Sequence, residues 1–337
     1  MTEPKLEPIE PRTAKEFYLE DRRGEVSKQT HRAHNNRLEY FVSWAEENNI
    51  TNINDLTGRD LKRYKIHRAE DVKPVTAKSY MDTLRVFLRF CKDIDAVHPE
   101  LPDKVQSPEV QKGDGAKTRH INADRAREIL EHLRKYSYAS VKHTVFELLW
   151  HTSIRRGTLL SVDVEDWNPD DRYIQIKHRP DTGTPLKNGN EGERPIAIND
   201  SVATVINDWI TDQRPEVEDE FGRKPLIASQ YGRMHGQTIQ KYIYELTAPC
   251  YTGDCPHDRD PNNCEATENH SAYHKCPSSV APHDIRRSSI THFLREGAST
   301  EQVGDRSDVS ADVLEKHYDQ MTDAEKMEQR REFFDNI

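Results

Sequence analysis

The sequence predicts a mainly α-helical protein with a small antiparallel β-sheet, divided into a smaller helical domain and a larger mixed one. Three observations carry this. Apolar residues recur at steps of three and four along most of the chain. Only two short runs alternate, "RYIQIKH" (172–178) and "RPIAIND" (194–200). A stretch rich in Pro, Gly and charge and without period, 96–117, separates the two halves. The length of 337 residues fits roughly two domains.

In chain order, residues 1–14 read as a flexible acidic leader. Residues 15–95 read as helical. Ala33, Arg37, Leu38, Phe41, Val42 and Ala45 outline one helix, and Ala77, Tyr80, Met81, Leu84, Phe87, Leu88 and Cys91 another. On the second helix Lys78, Arg85, Arg89 and Lys92 share a narrow sector apart from the apolar stripe. Such a sector is either a solvated charged face or one that tracks a phosphate backbone. Residues 96–117 read as a linker and 118–337 as the second domain. There Asn122 is an N-cap for "ADRAREILEHL", and a helix follows from about Val141 to Trp150. The two alternating runs bracket Thr-Gly, Asn-Gly and Glu-Gly, the marks of a β-hairpin with a long tip. Further helices are expected around 200–211, 236–246, 284–296 and 310–319. A final one begins at a Thr322-x-x-Glu325 capping box.

The chain carries 49 basic and 59 acidic side chains, a net charge of −10, which argues against wholesale electrostatic attraction to nucleic acid. The charge is uneven, however. Between Arg59 and Lys92 ten Lys/Arg face four Asp/Glu. An acidic remainder in which Arg outnumbers Lys suits a solvated surface in a salty, halophile-like cytoplasm. No apolar run is long enough to span a bilayer, and the N-terminus has neither a basic nor an apolar signal region, so a cytoplasmic protein is expected. No GxxxxGK[ST] pattern is present, so no nucleotide partner is expected.

Four of the five cysteines, Cys250, Cys255, Cys264 and Cys276, fall within one 27-residue span (250–276). In a reducing cytoplasm disulfides are the weaker explanation. The four thiolates could hold a tetrahedral structural zinc, with His257 as a substitute ligand. Their spacing forms no pair of CxxC knuckles, so a loop of unliganded cysteines stays open beside the metal site.

The remaining chemistry-bearing residues follow a particular order. Arg155 stands at a helix-to-helix turn in "TSIRRGTLLS", Lys187 at the hairpin tip, His283 and Arg286 in "APHDIRRSS", and Tyr318 near the end of a short helix. Separately, each has a plain structural reading: an arginine answering a helix dipole, a solvated hairpin lysine that competes with Lys177, a helix-start histidine, a packed tyrosine. In this order they resemble the tyrosine recombinase (phage integrase, Xer-like) family, whose catalytic domain runs Arg, hairpin Lys, His-x-x-Arg, a His or Trp, then Tyr. "PHDIRR" is similar to the family's Pro-His-Asp-Leu-Arg-Arg box, and "TSIRRGTLL" to its Thr-Gly-x-Arg segment, with Ser153 at the usual Gly and Thr158 at the usual Glu. The N-terminal half resembles the family's SAM-like core DNA-binding domain. In place of the usual His or Trp this chain offers Arg306 or Asp305. Arg306 is favoured because the role is hydrogen-bond donation to a phosphoryl oxygen; His317 is an outside candidate.

The resemblance implies a DNA breaking–rejoining fold, double-stranded DNA as partner, and a homo-tetramer on two DNA sites. It implies no cofactor for catalysis and strand cleavage through a 3′-phosphotyrosyl intermediate. Catalytic roles fall to Arg155, Lys187, His283, Arg286, Arg306 and Tyr318. Two arginines suit such chemistry because the planar guanidinium donates two parallel bonds to a phosphate, which Lys cannot. Two other readings share the fold: a type IB topoisomerase-like nicking-resealing enzyme, and an inactive DNA-binding regulator. A metal-dependent nuclease using His283 and the cysteines is a third.

Overall fold

The computed structural model describes residues 5–110, 119–317, 327 and 331. The chain divides into two compact units between residues 117 and 118. The first is built from α1 (Pro11–Asp21), α2 (Lys28–Glu47), α3 (Gly58–Asp71) and α4 (Pro74–Asp93). Helix starts carry local reasons. Ser27 Oγ accepts the Thr30 N–H at 3.1 Å, Thr57 and Asp60 form a reciprocal capping box, and Pro74 opens α4 where its missing N–H costs nothing. The apolar stripes expected on α2 and α4 meet, burying Leu38, Phe41, Val42, Met81, Leu84, Phe87 and Leu88 with Tyr18 and Tyr64. Each fully buried side chain of this size contributes about 1.5–3 kcal/mol of transfer free energy.

Two segments differ from the expected boundaries. The acidic leader is partly built in: Glu7 N–H donates to Asp95 O at 2.8 Å, Ile53 N–H donates to Ile9 O at 2.9 Å, and α1 already starts at Pro11. The stretch expected to be a linker begins inside the first unit, where Ala96, Val97, Leu101 and Val105 are buried in its core. Both segments are too short and too proline-rich to show a period, so their apolar residues gave no pattern to read.

In the second unit, α5 (Ala123–Tyr136) and α6 (Val141–Thr152) pack with α8 (Asp200–Asp208), α9 (Gly236–Thr247) and α10 (Pro282–Arg295). Asn122 caps α5 as expected, its Oδ1 accepting the Arg125 N–H at 2.8 Å. Helix α6 is buried nearly all round, as befits a central helix. After the short α7 (Arg156–Ser161) comes an antiparallel sheet in the order β1-β2-β3: β1 (Trp167–Asn168), β2 (Tyr173–Ile176) and β3 (Arg194–Ala197). The hairpin is paired Tyr173 to Ala197 and Ile176 to Arg194, so Ile174 and Ile196 face the core together. A further pair, β4 (Ala228–Ser229) and β5 (Gly232–Arg233), was too short to show alternation. α11 (Thr300–Ser307) and α12 (Ala311–His317) close on α10 through Ile290, Leu294, Val303 and Leu314. The turn between them requires Gly304, since a Cβ there would stand 2.9 Å from Val309 O. No helix among the described residues is long and apolar enough to cross a membrane. Tyr318 and the Thr322–Glu325 capping box lie outside the described residues, as do the side chains of 315–317.

Candidate active site

The site starts from the turn that ends α6. Ser153 takes the left-handed conformation, φ 54, which favours glycine and explains why the resembled motif carries one there. The serine is held in this conformation by its surroundings. Its Oγ lies 2.6 Å from Ser289 Oγ on α10, and its carbonyl accepts from Arg286 at 2.7 Å. The reversal ends with Arg155 extended at the start of α7.

Arg286 is 2% exposed, a buried guanidinium that binds α10 to the 153–155 turn. His283 stands one turn earlier on the same helix face. Pro282 opens α10, and Asp284 Oδ2 accepts the Ala281 N–H at 2.9 Å, so the Pro-His-Asp wording is a helix start with its own cap. His283 reaches solvent. Even so, partial burial, and then the positive charges of Arg286, Arg287 and Arg155, hold its imidazole below the ordinary value, against the opposing pull of Asp284. Arg155, His283 and Arg286 therefore share one electrostatic neighbourhood.

Lys187 is exposed at the hairpin tip. Its competitor Lys177 is engaged elsewhere: its Nζ lies 2.9 Å from Asp166, a carboxylate that also holds Arg179. Burial pushes the Asp166 carboxyl up, but the bonds from Arg179, the Asp163 N–H and Lys177 outweigh it and hold the group below the usual range. The tip is joined to the arginine site through Asn188, whose Nδ2 donates to Asp308 at 2.8 Å. Asp308 also accepts from Arg155.

Arg306 lies on α11 with Nε and both terminal nitrogens donating to backbone carbonyls, those of His151 and Ala197. It braces α11 against α6 and β3. Three of its five N–H groups are engaged in this way, leaving two. Burial holds its pKa, and that of nearby Arg194, below the usual guanidinium value. Burial, followed by the charge of Arg306, pushes His151 down to about 4. A cleft of about 700 Å³ is lined by Asn188, Arg194, Asp305, Arg306 and Asp308, among others. Arg194 and Asp308 were missed from sequence. Arg194 was readable only as the basic residue at the foot of the hairpin, and Asp308 only as one more acidic turn residue.

In the first unit the α4 sector is divided. Lys78 pairs with Asp82 at 2.9 Å, and Arg85 bonds to Asp82, to Val105 O at 2.7 Å and to Ser107 Oγ at 3.0 Å. Arg89 and Lys92 are exposed. Asp82 is pushed up by burial and pulled down more strongly by Ser107, Lys78 and Arg85, to about 2.

Cys250, Cys255, Cys264 and Cys276 are free thiols lining one small cavity of about 10 Å³, with His257. Burial first, and then the other three cysteines, push the Cys250 thiol up. Among the described residues no three His, Cys, Asp or Glu side chains form a ready metal-ligating set.

The fold is that of a tyrosine recombinase/integrase catalytic domain preceded by a helical domain. The Tn1549 transposon integrase, solved in complex with a circular intermediate DNA, shares that fold at TM-score 0.68 and 14% identity, covering 96% of this chain and 99% of that one. The sequence profile of the phage integrase family matches residues 119–324, and that of the phage integrase N-terminal SAM-like domain matches 15–93. The chain belongs to the phage integrase family and is a tyrosine recombinase, an enzyme of site-specific recombination that cleaves and rejoins DNA strands. Tyrosine recombinase XerD of Listeria monocytogenes is 20% identical over 298 residues, 87% of this chain and 89% of that one. The N-terminal domain of a phage integrase/site-specific recombinase from Haloarcula marismortui is 37% identical, covering 30% of this chain and 99% of that one, with TM-score 0.30.

Proposed function

We propose that strand cleavage here uses Tyr318 as nucleophile, Arg155 and Arg286 as the phosphate clamp, His283 as proton acceptor and Lys187 as general acid. The Tyr318 Oη attacks the scissile phosphorus and gives its proton to His283. The 5′-oxygen leaves with a proton from Lys187, and a 3′-phosphotyrosyl bond forms. Attack of a 5′-hydroxyl reverses each step, conserving the bond energy, so no nucleotide is consumed. The observation that carries this reading is the stitched turn: Arg286 bonds to Ser153 O, two residues from Arg155, with His283 one helical turn away. Holding the His283 pKa down favours the neutral imidazole, the form a proton acceptor needs. Guanidinium donors stabilise charge that grows in the pentavalent transition state, and losing one donor typically costs about 10²–10³-fold in rate. Arg306 fills the sixth position with the two N–H groups that its carbonyl bonds leave over.

Double-stranded DNA as substrate is supported by the Tn1549 integrase, solved on a circular intermediate DNA. Four protomers on two DNA sites, in the cytoplasm, complete the reading. Arg89 and Lys92 are the exposed part of the α4 DNA-facing sector, while Lys78 and Arg85 meet DNA only by exchanging Asp82 for phosphate. The cysteine loop is read as a structural zinc site, supported by four thiols around one cavity just ahead of α10. This loop takes no part in the chemistry. The test of the whole is a nicked suicide substrate in EDTA. A covalent adduct on the 3′-phosphate with a free 5′-hydroxyl is expected, and is lost in Arg286→Lys. An adduct of 5′ polarity, or one that requires metal, would refute it.

A further inference from the structure

One carboxylate lies among the groups just assigned and has no role in that chemistry. Asp308 ends α11 in the left-handed region, φ 55, with its side chain 15% exposed. One carboxylate oxygen accepts from a terminal nitrogen of Arg155. Its main-chain carbonyl accepts from the other terminal nitrogen at 2.8 Å. The second carboxylate oxygen accepts from Asn188 Nδ2 at 2.8 Å, and Asn188 directly follows Lys187. A single residue thus holds both terminal nitrogens of the guanidinium and the hairpin tip. The position three residues after Arg155 is Thr158, 6% exposed and uncharged, so the countercharge for Arg155 arrives from Asp308 instead. Arg194 feels both partners, its pKa pulled up by Asp308 and down by Arg155.

We propose that Asp308 is a positioning residue: it fixes the guanidinium plane of Arg155 and, through Asn188, sets Lys187 against it. The grip takes the end of the guanidinium. Among the described residues the Arg155 Nε–H enters no such bond, so the lateral edge, Nε–H and its neighbouring N–H, is left to meet two phosphate oxygens in parallel. A long, flexible arginine fixed in advance loses less on meeting its phosphate. Because the same carboxylate holds the hairpin tip, the phosphate clamp and the proton donor are set in one geometry. The inference rests on the roles assigned above to Arg155 and Lys187.

The test is single-turnover adduct formation on a nicked site at saturating DNA, with the wild type and Tyr318→Phe alongside. Asp308→Asn keeps the shape and tolerates the left-handed backbone but removes the charge. It is expected to slow adduct formation about tenfold or more while changing DNA affinity little. Asn188→Ala is expected to lose less. A second substrate, with sulfur in place of the 5′-bridging oxygen, separates the two arms. Its thiolate leaves with an acid of pKa about 8.5 and needs little protonation. On it Asn188→Ala returns to the wild-type rate, whereas Asp308→Asn recovers only in part, because the Arg155 arm is still unset. A merely structural role would not follow the leaving-group atom. Asp308→Asn cleaving at or above the wild-type rate overturns the proposal, since a faster variant marks the carboxylate as a plug that DNA must displace. Full recovery of Asp308→Asn on the sulfur substrate overturns it as well. If the wild-type adduct persists in Tyr318→Phe, the fault lies in the assigned chemistry, and both fall.

Discussion

Replacing Asp163 by Asn tests how the hairpin that presents Lys187 is anchored. Asp163 is fully buried, and its carboxylate meets Arg233, Arg223 at 3.4 Å and Arg179 at 3.5 Å. Two further buried carboxylates share these cations: Asp166 holds Arg179 and Lys177, and Asp219 holds Arg233 and Arg223. Three buried negative groups thus face four positive ones, and Asp163→Asn leaves two buried carboxylates facing four. Breaking a buried ion pair from one side typically costs about 3–5 kcal/mol. For a unit of this size about 1 kcal/mol shifts Tm by roughly 2–4 °C, so the melting temperature should fall by roughly 6–20 °C. Arg223 also donates to Thr184 Oγ and Thr182 O, both at 3.0 Å, so the hairpin tip should loosen too. Calorimetry gives the first quantity, and amide exchange over residues 179–192 the second. Glu165→Gln is the contrast: that side chain is 73% exposed and 3.5 Å from Arg179, a pair worth at most about 1 kcal/mol. An Asp163→Asn melt lowered no more than that of Glu165→Gln would refute the reasoning.

Lys187→Ala should slow cleavage by about 10²–10⁴-fold, the usual worth of a general acid, while Lys177→Ala should chiefly lower the melting temperature; equal cleavage defects would contradict the assignment. Because His283 is held below its ordinary pKa, the acid limb of kcat/KM should lie below about 6.5, and a limb above that value would count against a neutral imidazole in the free enzyme. Asp82 and Asp219 are both held to about 2, so the stability they contribute is complete above about 4 and is lost as pH falls through about 2. A melting temperature unchanged from pH 5 to pH 2 would contradict this. Zinc content near one equivalent per chain, falling in Cys264→Ser, is expected for the cysteine loop; less than half an equivalent in the wild type would remove the metal.

Much of this architecture was legible because it rests on local rules. The stripes of α2 and α4, the Asn122 cap and the two alternating runs each follow from a short pattern and from nothing distant. The start of α10 was legible for another reason, since "PHDIRR" contains a helix start, its cap and two residues of the proposed site, His283 and Arg286, in six residues. What could not be read depends on contacts between residues far apart in sequence. Nothing in "SDVS" says that Asp308 reaches Arg155, 153 residues away. Likewise nothing near Arg85 says that it turns to Val105 O and Ser107 rather than outward. Nothing around Asp163 in sequence signals the three arginines that meet it, and nothing in "GDRSD" signals that Arg306 donates to two backbone carbonyls. Buried charge networks leave no periodicity, so they are the features that a single sequence hides best.

The most direct test is to map the covalent bond itself. Wild-type protein trapped on a nicked DNA site, digested with protease and sequenced by mass spectrometry should carry its nucleotide on Tyr318, and Tyr318→Phe should yield no adduct. A nucleotide found on any other side chain, or an adduct that survives Tyr318→Phe, would contradict the account.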